Sequence, residues 1–227
     1  MALKKPKRTI LYVDGFNLYH GLKEKGWRRY LWFSLHELAI GFLPSGHKLE
    51  LVSRYFTSRV KGLKDDPDKP VRQSLYIDAL ETLEPHVEIQ YGRYQAFQSH
   101  CRHCNNMVFC AHCGKEHIKP NEKKTDVNIM TALLVDLFEN KCDTQMLVSG
   151  DSDYEITLEQ IRRLFPKKEL VLAFPPRRRN HSLIKSGYYT HWQGIAENSF
   201  AQSQFPDPVL KTVAGKQISL AKPTTWV

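Results

Sequence analysis

The chain has 227 residues, 41% of them hydrophobic and 25% charged, which is enough apolar material for one sizeable core. Its 33 Lys and Arg residues outnumber its 24 Asp and Glu residues, and the formal net charge of +9 favours a polyanionic partner, with nucleic acid the first candidate. The longest apolar run, residues 170–174, is far shorter than the roughly 20 residues that span a bilayer. The basic N-terminus lacks the apolar stretch of a signal peptide, so we expect a cytoplasmic protein without a membrane segment.

Short apolar runs alternate with segments of helical spacing along the chain. This alternation predicts an α/β fold with a mainly parallel sheet. The predicted strands are 10–13, 51–57, 87–94, 146–149 and 170–174, and the predicted helices are 16–25, 71–83, 126–139 and 153–165. Residues 196–227 follow the last of these elements. Their Pro, Lys and Thr content predicts an extended tail.

Four aspartates lie where parallel α/β sheets bind ligands, at the carboxyl ends of strands. Asp14 ends the first strand, Asp151 and Asp153 follow the strand at 146–149, and Asp126 begins the helix that leads into that strand. Clustered carboxylates repel one another unless a cation neutralises them, and oxygen ligands select Mg²⁺ or Mn²⁺. Because a metal-bound water can attack a phosphodiester, these aspartates predict hydrolysis of a nucleic-acid backbone.

Each aspartate also has a structural explanation. Ser152 and Glu155 have the spacing of a capping box, in which Asp153 would only favour the helix dipole. Asp126 could be a first-turn acid, and Asp14 could form a turn with the glycine after it. We favour a site because all four carboxylates occupy the same predicted edge of the sheet.

Several polar residues near that edge are candidates for substrate contacts. Asn17 could orient a metal-bound water or a phosphate, or could cap a helix, and Lys124 could contact phosphate or remain solvated. The run Arg177, Arg178 and Arg179 follows the strand at 170–174, so we expect it at the same edge as a phosphate clamp rather than as a solvated loop.

Three segments carry a resemblance to a known family. They are Val-Asp-Gly-Phe-Asn-Leu-Tyr at 13–19, Lys-Thr-Asp-Val-Asn-Ile at 124–129 and Val-Ser-Gly-Asp-Ser-Asp-Tyr at 148–154. In order and spacing they resemble the signature segments of the NYN domain family of PIN-like nucleases, over residues 8–195. The resemblance implies a PIN-like three-layer sandwich and a Mg²⁺- or Mn²⁺-dependent endoribonuclease acting on RNA. It assigns metal binding to Asp14, Asp126, Asp151 and Asp153, with Asn17 in support.

One position departs from the family pattern. Many relatives carry a further aspartate six residues after the equivalent of Asp126, where this chain has Ala132. Ala132 favours the rival interpretation, a non-catalytic RNA-binding or regulatory NYN module. A small-molecule phosphohydrolase is disfavoured, because Asp14 is not followed two residues later by a second aspartate. The sequence is compatible with a monomer or a homodimer.

Two CxxC motifs, here called the CxxC pair, lie between the third predicted strand and the helix at 126–139. Cys101 and Cys104 form the first motif, and Cys110 and Cys113 form the second. Four thiolates fit a tetrahedral Zn²⁺ site, which we favour over an iron–sulfur cluster or free thiols. The sequence therefore predicts a structural zinc insertion at 99–119 within the domain at 8–195. Cys142 stands alone and is predicted to fill the core.

Overall fold

The computed structural model describes residues 7–43, 47–49, 53–62, 66–100, 104, 106–109 and 118–226. The strands are β1 Lys7–Asp14, β2 His47–Leu49, β3 Ser53–Thr57, β4 Val87–Tyr91, β5 Arg93–Gln98, β6 Ile118–Lys123, β7 Thr144–Val148, β8 Glu169–Phe174, β9 His191–Gly194, β10 Val209–Val213 and β11 Lys216–Leu220. The helices are α1 Gly15–Lys25, α2 Leu35–Phe42, α3 Lys69–Glu81, α4 Thr125–Phe138, α5 Glu155–Leu164, α6 His181–Ser186 and α7 Glu197–Gln202.

The central sheet is parallel and runs in the order β4-β3-β1-β7-β8-β9, with β2 beside the start of β1. Alternate residues of β1 belong to different core clusters, Leu11 and Val13 to one and Ile10 and Tyr12 to the other. Because successive side chains of a strand point to opposite faces, the sheet is buried on both sides by helices. The predicted α/β fold with a PIN-like three-layer sandwich is therefore confirmed.

The run at 87–94 does not form one strand. β4 ends at Tyr91, and after Gly92 the chain enters β5, which pairs antiparallel with β6 as a separate ribbon. β4 is the edge of the central sheet, so the chain can leave it there without breaking a pairing. This ribbon leads to and from the segment that holds the CxxC pair.

The segment after residue 196 is not simply extended. It contains α7 and the antiparallel hairpin of β10 and β11, and its Phe205 and Trp226 rings pack on Trp32 at centroid distances of 5.8 and 6.3 Å. Trp32 is 1% exposed and its indole N–H donates to the Pro206 carbonyl at 3.1 Å. Leu31, Trp32 and Phe33 are thus part of the core, and Phe205 and Trp226 pack over Trp32.

A buried polar cluster connects α4 to the sheet. Asp136 is fully buried, and its Oδ2 accepts hydrogen bonds of 2.6 Å from both the Tyr12 hydroxyl and the Arg54 guanidinium. Gln145 donates to the Tyr12 hydroxyl at 3.0 Å and to the Leu133 carbonyl at 2.7 Å. A buried carboxylate needs such partners, so this cluster fixes the position of α4 relative to β1 and β3.

The cysteine predictions have different outcomes. Cys101, Cys110 and Cys113 lie outside the described residues, so the zinc site stays a prediction, whereas Cys104 is described as exposed. Cys142 is fully buried, which confirms that it fills the core. In the part of the chain that the structure describes, no helix has both the length and the hydropathy required to cross a bilayer.

Candidate active site

Asp14 lies at the carboxyl end of β1 and caps α1. Its Oδ1 accepts a hydrogen bond of 3.0 Å from the backbone amide of Asn17, and its Oδ2 accepts one of 3.0 Å from the Ser149 hydroxyl. The residue is 5% exposed, and this burial raises the pKa of its carboxyl to about 6 in spite of the hydrogen bonds, with the charge of Asp126 acting in the same direction. Asp14 therefore has a capping role and, at the same time, an environment that penalises its charge.

A single tyrosine hydroxyl lies between two of the aspartates. Tyr154 Oη is 3.0 Å from Asp126 Oδ1 and 3.3 Å from Asp14 Oδ2, and Tyr154 is fully buried. Because a hydroxyl carries one proton, it donates to one carboxylate at a time. Burial raises the pKa of Asp126, and the charges of Asp151 and Asp153 raise it further. A proton or a cation that compensates the remaining negative charge would therefore stabilise Asp14 and Asp126 in these positions.

Glu122, at the end of β6, is a further acidic residue of this region that the sequence analysis did not identify. Burial raises its pKa to about 7, and the charges of Asp14 and Asp126 add to the effect. Its Oε1 accepts hydrogen bonds from the Thr125 hydroxyl and from the Ser58 hydroxyl, the latter at 3.2 Å. The sequence signal that could have identified Glu122 is its position four residues before Asp126.

Asp151 and Asp153 lie at the outer side of the same edge. Asp151 Oδ1 caps the short 3₁₀ turn Ser152–Tyr154 by accepting from the Asp153 backbone amide at 3.1 Å. The cap is therefore Asp151 rather than Ser152, and the capping box considered as the alternative explanation is not formed. Asp153 is exposed. Among the described residues, no three His, Cys, Asp or Glu side chains are close enough to make a complete metal site. The structure thus brings the aspartates into one electrostatic neighbourhood, without a preformed coordination shell.

Asn17 connects α1 to the loop after β7. Its Oδ1 accepts from the Gly150 amide at 3.0 Å, and the Gly150 carbonyl accepts from the Asn180 side-chain amide at 2.9 Å. A Cβ at Gly150 would lie 1.7 Å from the Arg178 carbonyl oxygen, so only glycine fits. The loop after β8 therefore lies directly against the residue that precedes Asp151.

The arginine run belongs to this loop. Arg177 is exposed and has a left-handed conformation, with φ of 61°. Arg178 forms an ion pair with Glu24, and the Arg179 guanidinium lies 4.5 Å from the centroid of the Trp192 ring. The structure places the loop at the predicted edge, but two of its three arginines already have partners within the chain.

Lys124 and Ala132 lie on either side of Asp126 in the sequence. Lys124 directly precedes α4, is exposed and has a left-handed φ of 76°. Ala132 is 8% exposed and belongs to the core cluster that packs α4 against the sheet. The departure from the family pattern therefore concerns a buried helix position.

Comparisons with known proteins find one sequence relative, one similar structure and one family. The chain is 25% identical over 247 aligned positions, covering 97% of this chain and 76% of the relative, to 6-hydroxy-3-succinoylpyridine 3-monooxygenase HspA of Pseudomonas putida. A crystal structure of a protein of unknown function from Vibrio parahaemolyticus is 15% identical, with a TM-score of 0.52, over 87% of this chain and 98% of that chain. A family model described as NYN domain matches residues 8–192. This match covers most of the sequence, and the chain therefore belongs to the NYN domain family, a family of nuclease type.

Proposed function

We propose that this protein is a metal-dependent ribonuclease that cleaves RNA internally. The observation that carries the proposal is the pair Asp14 and Asp126, which share the hydroxyl of buried Tyr154 at the carboxyl edge of a parallel sheet. Two further aspartates act electrostatically on Asp126. Placing acidic groups in this way is costly for stability, and perturbed pKa values concentrate at functional sites.

The donor set fits a hard divalent cation. Asp14, Asp126, Asp151 and Asp153 would hold Mg²⁺ or Mn²⁺, and Glu122 is a further carboxylate within electrostatic range. Such an ion, when bound, lowers the pKa of a water molecule and stabilises the leaving oxygen of a phosphodiester. The raised pKa values of Asp14, Asp126 and Glu122 fit the same conclusion, because a bound cation would compensate the negative charge that burial and the neighbouring carboxylates penalise.

Other residues of the chain would position the site, transfer a proton and contact the substrate. Asn17 and Gly150 hold the loop that carries Asp151 in place through the 3.0 Å hydrogen bond. Glu122, with its pKa near 7, is suited to accept and release a proton at neutral pH. Lys124 and the arginines 177–179 would contact phosphates, and the net charge of +9 would attract RNA to this surface.

The test is gel-resolved cleavage of a labelled RNA pool with Mn²⁺, Mg²⁺ or EDTA. The wild type should cut in the presence of metal. Asp14→Asn combined with Asp151→Asn should lose at least about a hundredfold in rate, because removal of catalytic electrostatic groups has effects of that order. Asp68→Asn, an identical change at an exposed residue, is the matched control and should cut normally.

The rival function is a non-catalytic RNA-binding or regulatory module. It is favoured by the lack of a complete metal site among the described residues. If the wild type and the double variant leave the RNA intact in every metal, yet shift it equally on a native gel, the binding module replaces the ribonuclease. Metal-dependent cleavage that only the double variant loses excludes the module.

We also propose that the CxxC pair holds one structural Zn²⁺. Four thiolates at this spacing provide a full tetrahedral set, and the segment at 99–119 has little apolar content with which to fold alone. The zinc would stabilise the segment that connects β5 to β6. Because β6 ends next to Asp126, loss of this ion would affect the position of Glu122 before that of the other acidic residues.

A further inference from the structure

Three segments of the chain meet at the hydroxyl of Tyr154. Asp14 lies at the end of β1, Asp126 lies in the first turn of α4, and Tyr154 belongs to the 3₁₀ turn after β7. The hydroxyl oxygen is 3.0 Å from Asp126 Oδ1 and 3.3 Å from Asp14 Oδ2. One neutral side chain therefore connects two carboxylates that belong to separate elements of the fold.

The Tyr154 ring is part of the hydrophobic core. It is fully buried and belongs to the same core cluster as Ile129, Leu133 and Leu158. A phenylalanine ring would fill this space as well, whereas a buried hydroxyl is costly unless it is hydrogen-bonded. The partners described for this hydroxyl are the two carboxylates. The hydroxyl therefore contributes to the acidic site and not to the packing of the core.

The two carboxylates depend on this hydroxyl to different degrees. Asp14 has other donors, because the backbone amide of Asn17 and the hydroxyl of Ser149 each donate to it at 3.0 Å. Among the residues that the structure describes, Tyr154 is the only donor to the Asp126 carboxylate. Asp126 is half-buried, so without this hydrogen bond its side chain can turn towards solvent. Tyr154 is thus the contact that keeps Asp126 beside Asp14.

The turn that contains Tyr154 also contains Asp153 and follows Asp151. The backbone amide of Asp151 donates to the Ser149 hydroxyl at 3.2 Å, and Asp151 Oδ1 accepts from the backbone amide of Asp153 at 3.1 Å. The Ser149 hydroxyl in turn donates to Asp14. These hydrogen bonds fix the start of the turn, so the position of the Tyr154 hydroxyl is set by the same segment that carries two of the aspartates.

We infer that Tyr154 is a positioning residue of the acidic site, which holds Asp126 beside Asp14 so that both carboxylates can bind a divalent cation. This role rests on the proposed function, because it concerns the ion that the ribonuclease would use. Hydrogen-bond partners that orient metal ligands typically change metal affinity by about 10- to 100-fold when they are removed. Because the hydroxyl is buried, we expect it to act on the carboxylates and not on RNA.

The experiment titrates Mn²⁺ into the full chain and compares Tyr154→Phe with the wild type. Binding is measured by calorimetry and by the electron paramagnetic resonance signal of free Mn²⁺. We expect the variant to bind Mn²⁺ about tenfold more weakly or worse. Its affinity for RNA in EDTA, measured on a native gel, should equal that of the wild type. RNA cleavage by the variant should fall at limiting Mn²⁺ and recover as Mn²⁺ is raised, because the affinity for the ion is what changes.

Two variants with the same chemical change are matched controls. The buried Tyr76 hydroxyl donates to the Phe33 carbonyl at 3.1 Å and belongs to the other core cluster, so Tyr76→Phe should leave Mn²⁺ affinity unchanged. The Tyr12 hydroxyl donates to Asp136, a buried carboxylate of α4 outside the acidic site. Tyr12→Phe tests whether a looser α4 is enough to weaken Mn²⁺ binding, and we expect that it is not. Thermal midpoints in EDTA show that each variant is folded.

Two results overturn the role of Tyr154. One is an equal Mn²⁺ affinity of Tyr154→Phe and the wild type, and the other is an equal loss of affinity in Tyr12→Phe. Either result in a wild type that cuts RNA leaves the ribonuclease in place and removes this role alone. A wild type that binds Mn²⁺ more tightly than Tyr154→Phe but never cuts RNA supports the role and excludes the ribonuclease. A wild type that binds no Mn²⁺ excludes both.

Discussion

Replacing Asp14 by asparagine should stabilise the metal-free protein above neutral pH. The folded state raises the pKa of Asp14 from 3.8 to about 6, because the carboxyl is buried. Between these two values the folded protein holds a proton that the unfolded chain has lost, so stability falls as the pH rises through this interval. At pH 8 the buried charge costs about 3 kcal/mol at most, since each pKa unit corresponds to about 1.4 kcal/mol.

Asparagine keeps part of the local structure. Its Oδ1 can still accept from the Asn17 amide and cap α1. The amide nitrogen, however, would replace the oxygen that accepts from the Ser149 and Tyr154 hydroxyls, and this costs roughly 1 to 2 kcal/mol in total. The net gain at pH 8 is about 1 to 2 kcal/mol, or roughly 2 to 8 °C in thermal midpoint for a chain of this size.

The assay is thermal unfolding, followed by circular dichroism in metal-free buffer at pH 8 and at pH 4.5. The midpoint of Asp14→Asn should exceed that of the wild type at pH 8, and the difference should vanish or reverse at pH 4.5, where the folded wild type carries a proton on Asp14. Added Mn²⁺ should raise the wild-type midpoint at pH 8 and leave that of the variant unchanged. A variant that is no more stable than the wild type at pH 8, or a gain that does not depend on pH, would refute the reasoning.

Three further predictions concern the loop at the site, the buried cluster and the zinc. Gly150→Ala should lower the thermal midpoint by roughly 5 °C or more, because its Cβ would meet the Arg178 carbonyl, whereas Gly194→Ala meets no atom within 4 Å and should change it little. Asp136→Ala should destabilise the protein in urea by about 3 to 5 kcal/mol, since it leaves the Arg54 guanidinium without its buried partner, and a loss under 1 kcal/mol would contradict this. Elemental analysis should find one zinc per chain, absent when the CxxC pair is changed to serine; iron in place of zinc would contradict the assignment.

Much of the fold could be predicted from the sequence, because the central strands are short apolar runs. β1, β7 and β8 are buried on both faces, and a strand in that position has a simple sequence pattern. The aspartates at their ends could be placed at one edge for the same reason, since parallel strands all end on the same side. The tail could not be predicted in this way, because its few apolar residues are stabilised by Trp32, which is distant in the sequence.

What the sequence by itself determined is the type of the central elements β1, β3, β7 and β8 and the edge of the sheet at which Asp14, Asp126, Asp151 and Asp153 lie. Local periodicity and the strand ends contain that information. Only the tertiary structure decided that the charges of Asp14 and Asp126 act on Glu122 and that Tyr154 lies between these two aspartates. These features depend on distances between segments far apart in the chain, which packing of the whole core sets.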